Sequence, residues 1–168
     1  DFIRLGKKIT NQLRLDVQSL LVSKESPLKN HPNILVDQAD ATMHLPVHVG
    51  DYTDFYSSIE HATNVGTMFR DPDKALMPNW KHLPVGYHGR ASSIIVSGTP
   101  IKRPKGQVVP KGTEVPIFQP SGRLDFELEM AFIVGKDTEI GSSVTTKDAL
   151  DHIFGMVLFN DWSARDIQ

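Results

Sequence analysis

"RLDFELEMAFIVG", residues 123–135, alternates polar and apolar side chains along most of its length. Alternation at a period of two is the pattern of a β-strand with two unlike faces. Read as one strand, it sends Asp125, Glu127 and Glu129 to one face and Phe126, Leu128 and Met130 to the other. Carboxylates at i, i+2 and i+4 then start roughly 6.5–7 Å apart, twice the rise per residue. Flexible Glu side chains can close that gap onto one ion. Without an ion, the stacked like charges repel, and Glu is a poor strand former. A solvated face of an antiparallel strand explains the same pattern with no ligand, so the segment alone leaves both readings open.

Outward from this strand, the chain divides by texture. Phe2, Leu5, Ile9, Leu13, Val17 and Leu20 recur at steps of three or four, which predicts one helix over residues 1–23 with an apolar stripe for packing or docking. "SKESPLKNHPN", 23–33, reads as a linker. From residue 41 onward, short strands and turns dominate. "ATMHLPVHV" (41–49) reads as extended, because Pro46 would break a helix. "TDFYSSIEHATNV" (53–65) reads as a helix with Thr53 or Ser57 as cap, since Ser57 and Glu60 have capping-box spacing. "SSIIVSG" (92–98) reads as a strand and "TTKDALDHIFG" (145–155) as a short helix begun near Thr145 or Thr146. "MVLFND" (156–161) is a buried strand followed by a helix start at "WSARDIQ" (162–168). The glycines of "VGYHGRASS" suggest a loop bent tightly against a ligand. The class is α+β with a β bias, and there are no internal repeats.

Composition narrows the function. At 168 residues the chain can form one medium domain with a core, and 39% hydrophobic and 23% charged residues are ordinary for a globular protein. A formal charge of −2 offers no footprint for nucleic acid or an anionic membrane. No apolar run approaches the ~20 residues of a bilayer span, and no signal-peptide pattern opens the chain. Absence of cysteine removes disulfides and thiolate metal sites and fits the cytosol. A start at Asp1 and an end just after a motif-rich stretch read as an internal fragment of something longer.

Two further acids stand at element ends, where sites tend to form. Asp161 closes the apolar run "MVLF", and Asp54 sits between the strand-like "HLPVHV" and the helix that follows it. Asp54, Glu127, Glu129 and Asp161 together would make an all-oxygen site suited to Mg²⁺, Ca²⁺ or Mn²⁺. His61 follows Asp54 by seven residues. In a helix that is two turns, ~10 Å along the axis, with both side chains near one face. A neutral imidazole there could deprotonate water. His44 and His48 flank Pro46 and are read as structural, as are His31 and His152; His82 and His88 could line a loop. "DYTDFYSS" (51–58) thus becomes the rim of a site, with Asp51 and Tyr52 as plain turn residues.

Four long segments carry a resemblance. "GDYTDFYSSIEHATNVG", "PNWKHLPVGYHGRASSIIVSGTPIKRPKGQ", "RLDFELEMAFIVG" and "HIFGMVLFNDWSARDIQ" closely resemble the fumarylacetoacetate hydrolase family, in the right order from about residue 41 to the end. The resemblance implies residues 1–40 as a helical segment before the catalytic domain, and 41–168 as the first part of a mixed β-sandwich/roll. It implies hydrolysis of the carbon–carbon bond of 4-fumarylacetoacetate to fumarate and acetoacetate, the last step of tyrosine and phenylalanine breakdown. Asp54, Glu127, Glu129 and Asp161 fall at the metal ligands, for Ca²⁺ and/or Mg²⁺. His61 falls at the base that activates water. Tyr56, Arg70, Tyr87, Arg165 and Gln168 fall at positions that contact substrate or shape the site, while Asp125 and Glu60 carry no such role. Arg165 and Gln168 can donate to a developing oxyanion, and Arg70 suits a substrate carboxylate.

Family features expected beyond Gln168, including a glutamate that orients the base, are not in this sequence, so the fragment alone is expected to be inactive. A cytosolic homodimer is the implied whole. Two rivals remain: another enzyme of the superfamily (acylpyruvate hydrolase, decarboxylase or isomerase), and a non-catalytic metal-binding module.

Overall fold

The computed structural model describes residues 2–168. In chain order its elements are α1 (Lys7–Val22), β1 (Tyr52–Phe55), α2 (Ile59–Phe69), β2 (Gly86–Gly89), β3 (Lys105–Val108), β4 (Ile117–Pro120), β5 (Leu124–Asp125), β6 (Leu128–Val134), α3 (Ala149–His152), β7 (Ile153–Asn160) and β8 (Ser163–Ala164). Helices and small antiparallel sheets alternate, an α+β arrangement. The chain separates into two compact units, Ala39–Pro100 on the one hand and Asp1–Gln38 with Ile101–Gln168 on the other. No helix of the described residues is long and apolar enough to cross a membrane.

In the discontinuous unit, Gly6 adopts φ +81° and separates a 3-10 turn at Ile3–Leu5 from α1, so Phe2 and Leu5 lie outside the helix expected to include them. Left-handed φ is cheap only for glycine. The stripe of α1 stays exposed at Ile9, Leu13, Val17 and Leu20, and Thr10 is the buried residue of this helix. Ser26 caps the following 3-10 turn, accepting from Leu28 N at 3.2 Å.

The 123–135 segment is two strands rather than one. β5 pairs with β8, whereas β6 pairs with β7 through seven residue pairs from Leu128↔Asn160 to Val134↔Ile153. The partner changes because Asp161 and Trp162 separate β7 from β8, leaving Phe126 and Glu127 in the gap between β5 and β6. The period of two survives the break, but its faces are inverted. Glu127, Glu129, Ala131 and Ile133 are half-buried, while Leu128, Met130, Phe132 and Val134 are exposed. Across the ribbon, exposed Met130 faces exposed Leu158, and Phe132 faces Met156. The acidic face is therefore the covered one.

β3 and β4 form a hairpin-like pair that buries Val108. Thr145–His152 is helical only at Ala149–His152, because Ile153 already belongs to β7, and Asp148 occupies the N-cap. The expected helix at 162–168 is instead β8 followed by a tight turn: Arg165 N donates to Arg123 O, which keeps the chain beside β5.

In the Ala39–Pro100 unit, β1 and β2 pair over four residues, Tyr52↔Gly89 to Phe55↔Gly86. This corrects three expectations. Residues 53–55 are strand, not helix. Tyr52 is a strand residue whose ring lies over Gly89. Residues 86–89 are strand rather than loop. Residues 41–49 are not helical, and they pair with no strand among the described residues. The helix begins only after Tyr56 N has bonded Val85 O, and Ser58, not Thr53 or Ser57, is its cap, with Oγ accepting from His61 N at 3.2 Å. Residues 92–98 run from the end of a 3-10 turn at Ala91–Ser93 through irregular chain into a turn at 97–98, not a strand.

α2 is seated by Gly66. A methyl group at this position would lie 2.1 Å from the Ala75 carbonyl oxygen, so only glycine lets helix and turn meet this closely. Ala62 of the same helix and Ala75 are both buried.

Candidate active site

Each unit presents its own set of candidate side chains. In Ala39–Pro100, strand pairing places Asp54 directly opposite Tyr87, and the Tyr87 hydroxyl donates to Asp54 Oδ2 at 2.9 Å. Asp54 is half-buried. Tyr56 follows β1, and its carbonyl accepts from Trp80 Nε1 at 2.9 Å. His61 sits in the first turn of α2, with its ring edge-on to that of Tyr56 at a centroid distance of 5.5 Å. Asp54 and His61 are thus on a strand and a helix, not two turns apart on one helix as the spacing suggested. Arg70 caps the C-terminus of α2, and its Nε donates to Ala75 O at 3.0 Å. Tyr56 and Arg70 line one cavity of about 220 Å³, together with Met77, Asn79, Trp80 and Val85. Two of the expected substrate contacts therefore share a concave space of small-molecule scale.

In the discontinuous unit, Glu129 of β6 and Asp161 after β7 bring carboxylate oxygens within 4.8 Å of each other, both half-buried. The backbone enforces this, since Asp161 N donates to Glu127 O at 3.0 Å and Glu127 N donates to Asn160 Oδ1 at 3.3 Å. Hard divalent cations take oxygens at about 2.0–2.6 Å, so one ion spans ligands up to about 5 Å apart. The donor set and spacing fit such an ion, and the covered face reduces competing water.

Glu127 meets Arg165: its Oε1 accepts from Nη2 at 2.6 Å. Arg165 Nε also donates to Asp125 Oδ2 at 3.2 Å, and Nη1 to Gln168 Oε1 at 3.3 Å. Burial works against the guanidinium charge, but the bond and charge of Glu127, reinforced by Asp125, outweigh it and raise the Arg165 pKa. Asp125, to which the resemblance gives no direct metal or substrate contact, is half of this bridge.

Trp80 and Asn160 were not singled out by sequence reasoning. Trp80 falls inside the quoted "PNWKHLPVGY" motif, and an indole amid turn residues was the available signal. Nothing local marks Asn160, because its partner is 33 residues away.

Comparison with known proteins adds an independent line. Residues 51–168 match the family model described as fumarylacetoacetate (FAA) hydrolase C-terminal. The chain is 54% identical over 171 residues to the fumarylacetoacetase of Rattus norvegicus, covering 99% of this chain and 41% of that protein. It is 54% identical to the Homo sapiens fumarylacetoacetase and 58% identical to that of Caenorhabditis elegans, with the same coverage of both partners. The chain thus spans about two fifths of the length of the curated relatives it matches.

Proposed function

The chain belongs to the fumarylacetoacetate hydrolase family, and from that premise we propose that the full-length protein hydrolyses 4-fumarylacetoacetate to fumarate and acetoacetate. The observation that carries this reading is the acidic pair Glu129–Asp161 in the same unit as the Arg165 bridge to Glu127, since it combines a seat for a cation with a fixed hydrogen-bond donor. Glu129 and Asp161 would hold Ca²⁺ or Mg²⁺, and Glu127 and Asp54 keep the ligand roles that the resemblance implies. A bound dication supplies Lewis-acid polarisation of the diketone oxygens.

The remaining steps belong to the chain's own residues. His61 takes a proton from water, and the hydroxide adds to the fumaryl carbonyl carbon. The bond from that carbon to the neighbouring methylene breaks; its electron pair leaves with the acetoacetate portion, which gains a proton. Arg165 and Gln168 donate to the oxyanion at the attacked carbon. Arg70 recognises a substrate carboxylate, and Tyr56 and Tyr87 orient the diacid. Residues 41–168 contribute the first part of a mixed β-sandwich/roll catalytic domain, with 1–40 as the segment before it, in a cytosolic homodimer.

A hydrolysis assay with the full-length protein tests this, following loss of the diketone absorbance. Wild type should cleave the substrate, chelation should stop it, and added Ca²⁺ or Mg²⁺ should restore it. His61→Ala should lower kcat by about 10²–10⁴-fold, the usual worth of a general base. Cleavage of an acylpyruvate but not of fumarylacetoacetate would overturn the substrate, and an active His61→Ala would overturn the base.

A further inference from the structure

We propose that Asp166 is a positioning residue: its carboxylate pins the turn bearing Arg165 and Gln168 to the Ser121–Gly122 link, and so sets where the Arg165 guanidinium can point. The inference rests on the role given to Arg165 above.

The turn has little else to fix it. β8 is two residues long and pairs with β5 only at Leu124↔Ala164 and Asp125↔Ser163. Beyond that ladder, Arg165 N donates to Arg123 O at 2.9 Å, while Ile167 N and Gln168 N both fold back onto Ala164 O. A two-residue ladder constrains direction weakly, and a guanidinium at its end sweeps a wide arc for a small backbone rotation.

Asp166 supplies the missing constraint with both of its oxygens. Ser121 Oγ donates to Oδ1 at 2.6 Å and Gly122 N donates to Oδ2 at 2.7 Å. Both distances are those of charge-assisted bonds. The Ser121 hydroxyl holds the Asp166 carboxyl below the ordinary carboxylate range, against the opposing effect of burial and with help from Gly122 N.

The anchor on the other side is itself immobilised. Ser121 is 2% exposed. Its N donates to Pro104 O at 2.9 Å, its carbonyl accepts from Arg103 Nη1 at 2.8 Å, and its hydroxyl accepts from Arg123 N at 3.2 Å. Every polar group of Ser121 is thus engaged, so a carboxylate bound to it inherits a fixed reference. Ile167 adds an apolar contact, for a methyl group at Gly106 would lie 2.7 Å from Ile167 Cγ2. Arg165 then reaches Asp125, Glu127 and Gln168 from a turn tied down on both flanks.

The test uses the full-length protein with Asp166→Ala, Asp166→Asn and Ser121→Ala, read by steady-state kinetics and by amide hydrogen exchange at residues 165–168. Asp166→Ala should speed exchange there and lower kcat at least about tenfold with KM within about twofold, since a displaced oxyanion donor weakens the transition state rather than substrate binding. Asp166→Asn is isosteric: its carbonyl can accept from Gly122 N while its amide donates to Ser121 Oγ, so it should restore most of kcat and of the protection. Unchanged exchange in Asp166→Ala overturns the pinning, and faster exchange with unchanged kcat, or a loss carried by KM, overturns the positioning role. Should Asp166→Ala fail to fold, Ser121→Ala removes one anchor and must lower kcat at constant KM; wild-type kcat there sinks the idea. An inactive wild type would instead sink the assigned reaction, with exchange still deciding whether Asp166 pins the turn.

Discussion

In Ala39–Pro100, Asp54 takes its bond from a tyrosine hydroxyl, Tyr56 takes one from an indole, and His61 is held at its backbone by a serine cap. In the discontinuous unit, Asp125, Glu127 and Gln168 converge on one guanidinium. Neutral groups fix the first set and a cation fixes the second. Neutral bonds tolerate the loss of one partner at modest cost, whereas removing a half-buried cation leaves acids facing one another. Sensitivity to mutation should therefore differ sharply between the two.

The strongest test of that contrast is Arg165→Met. It should lower kcat by about 10²–10³-fold, the range for one oxyanion donor. Arg165→Lys should recover little, because an ammonium cannot bridge two carboxylates as a planar fork does. If Arg165→Met costs no more than Tyr87→Phe, the contrast is lost. Tyr87→Phe comes next: it removes one bond to the Asp54 carboxylate and should cost about 1–2 kcal/mol in kcat/KM or unfolding free energy.

The smallest effect concerns pH. The folded pKa of Asp166 is depressed, so its stabilising contribution is complete above the ordinary carboxylate value of about 3.9 and is lost as pH falls through the lower folded value. Acid unfolding of wild type against Asp166→Asn should show a constant gap near neutrality that narrows only below about pH 4. A gap that changes between pH 5 and 7 would mean that another group, not this carboxylate, carries the difference.

Much of the candidate site's arrangement was legible because its logic is local. The period of two placed Glu127 and Glu129 on one face whether or not the strand was continuous, and Asp161 was marked by the apolar run before it. Spacing from Asp54 marked His61, although the two stand on a strand and a helix rather than on one helix, and family likeness supplied Arg165. What escaped reading was set by partners distant in sequence. Alternation says which residues share a face but not which face is covered; that depends on groups far along the chain, such as Arg165 beside Glu127 and Asp161 beside Glu129. The start of α2 shifted from Thr53 or Ser57 to Ser58 because β2, some thirty residues later, claims 52–55 as its partner. A Ser-Gly pair at 121–122 announces a turn, but nothing near it announces Asp166.

Gly66 has one consequence that extends beyond its own helix. The carbonyl of Ala75 touches the Gly66 backbone and also accepts from Arg70 Nε, so one oxygen sits between the helix that carries His61 and the arginine at its end. Any side chain at 66 acts as a wedge against that oxygen and transmits its displacement to Arg70. A substitution with no atom in the cavity would thus register as a change at the arginine that lines it, delivered by mechanical push rather than by lost chemistry.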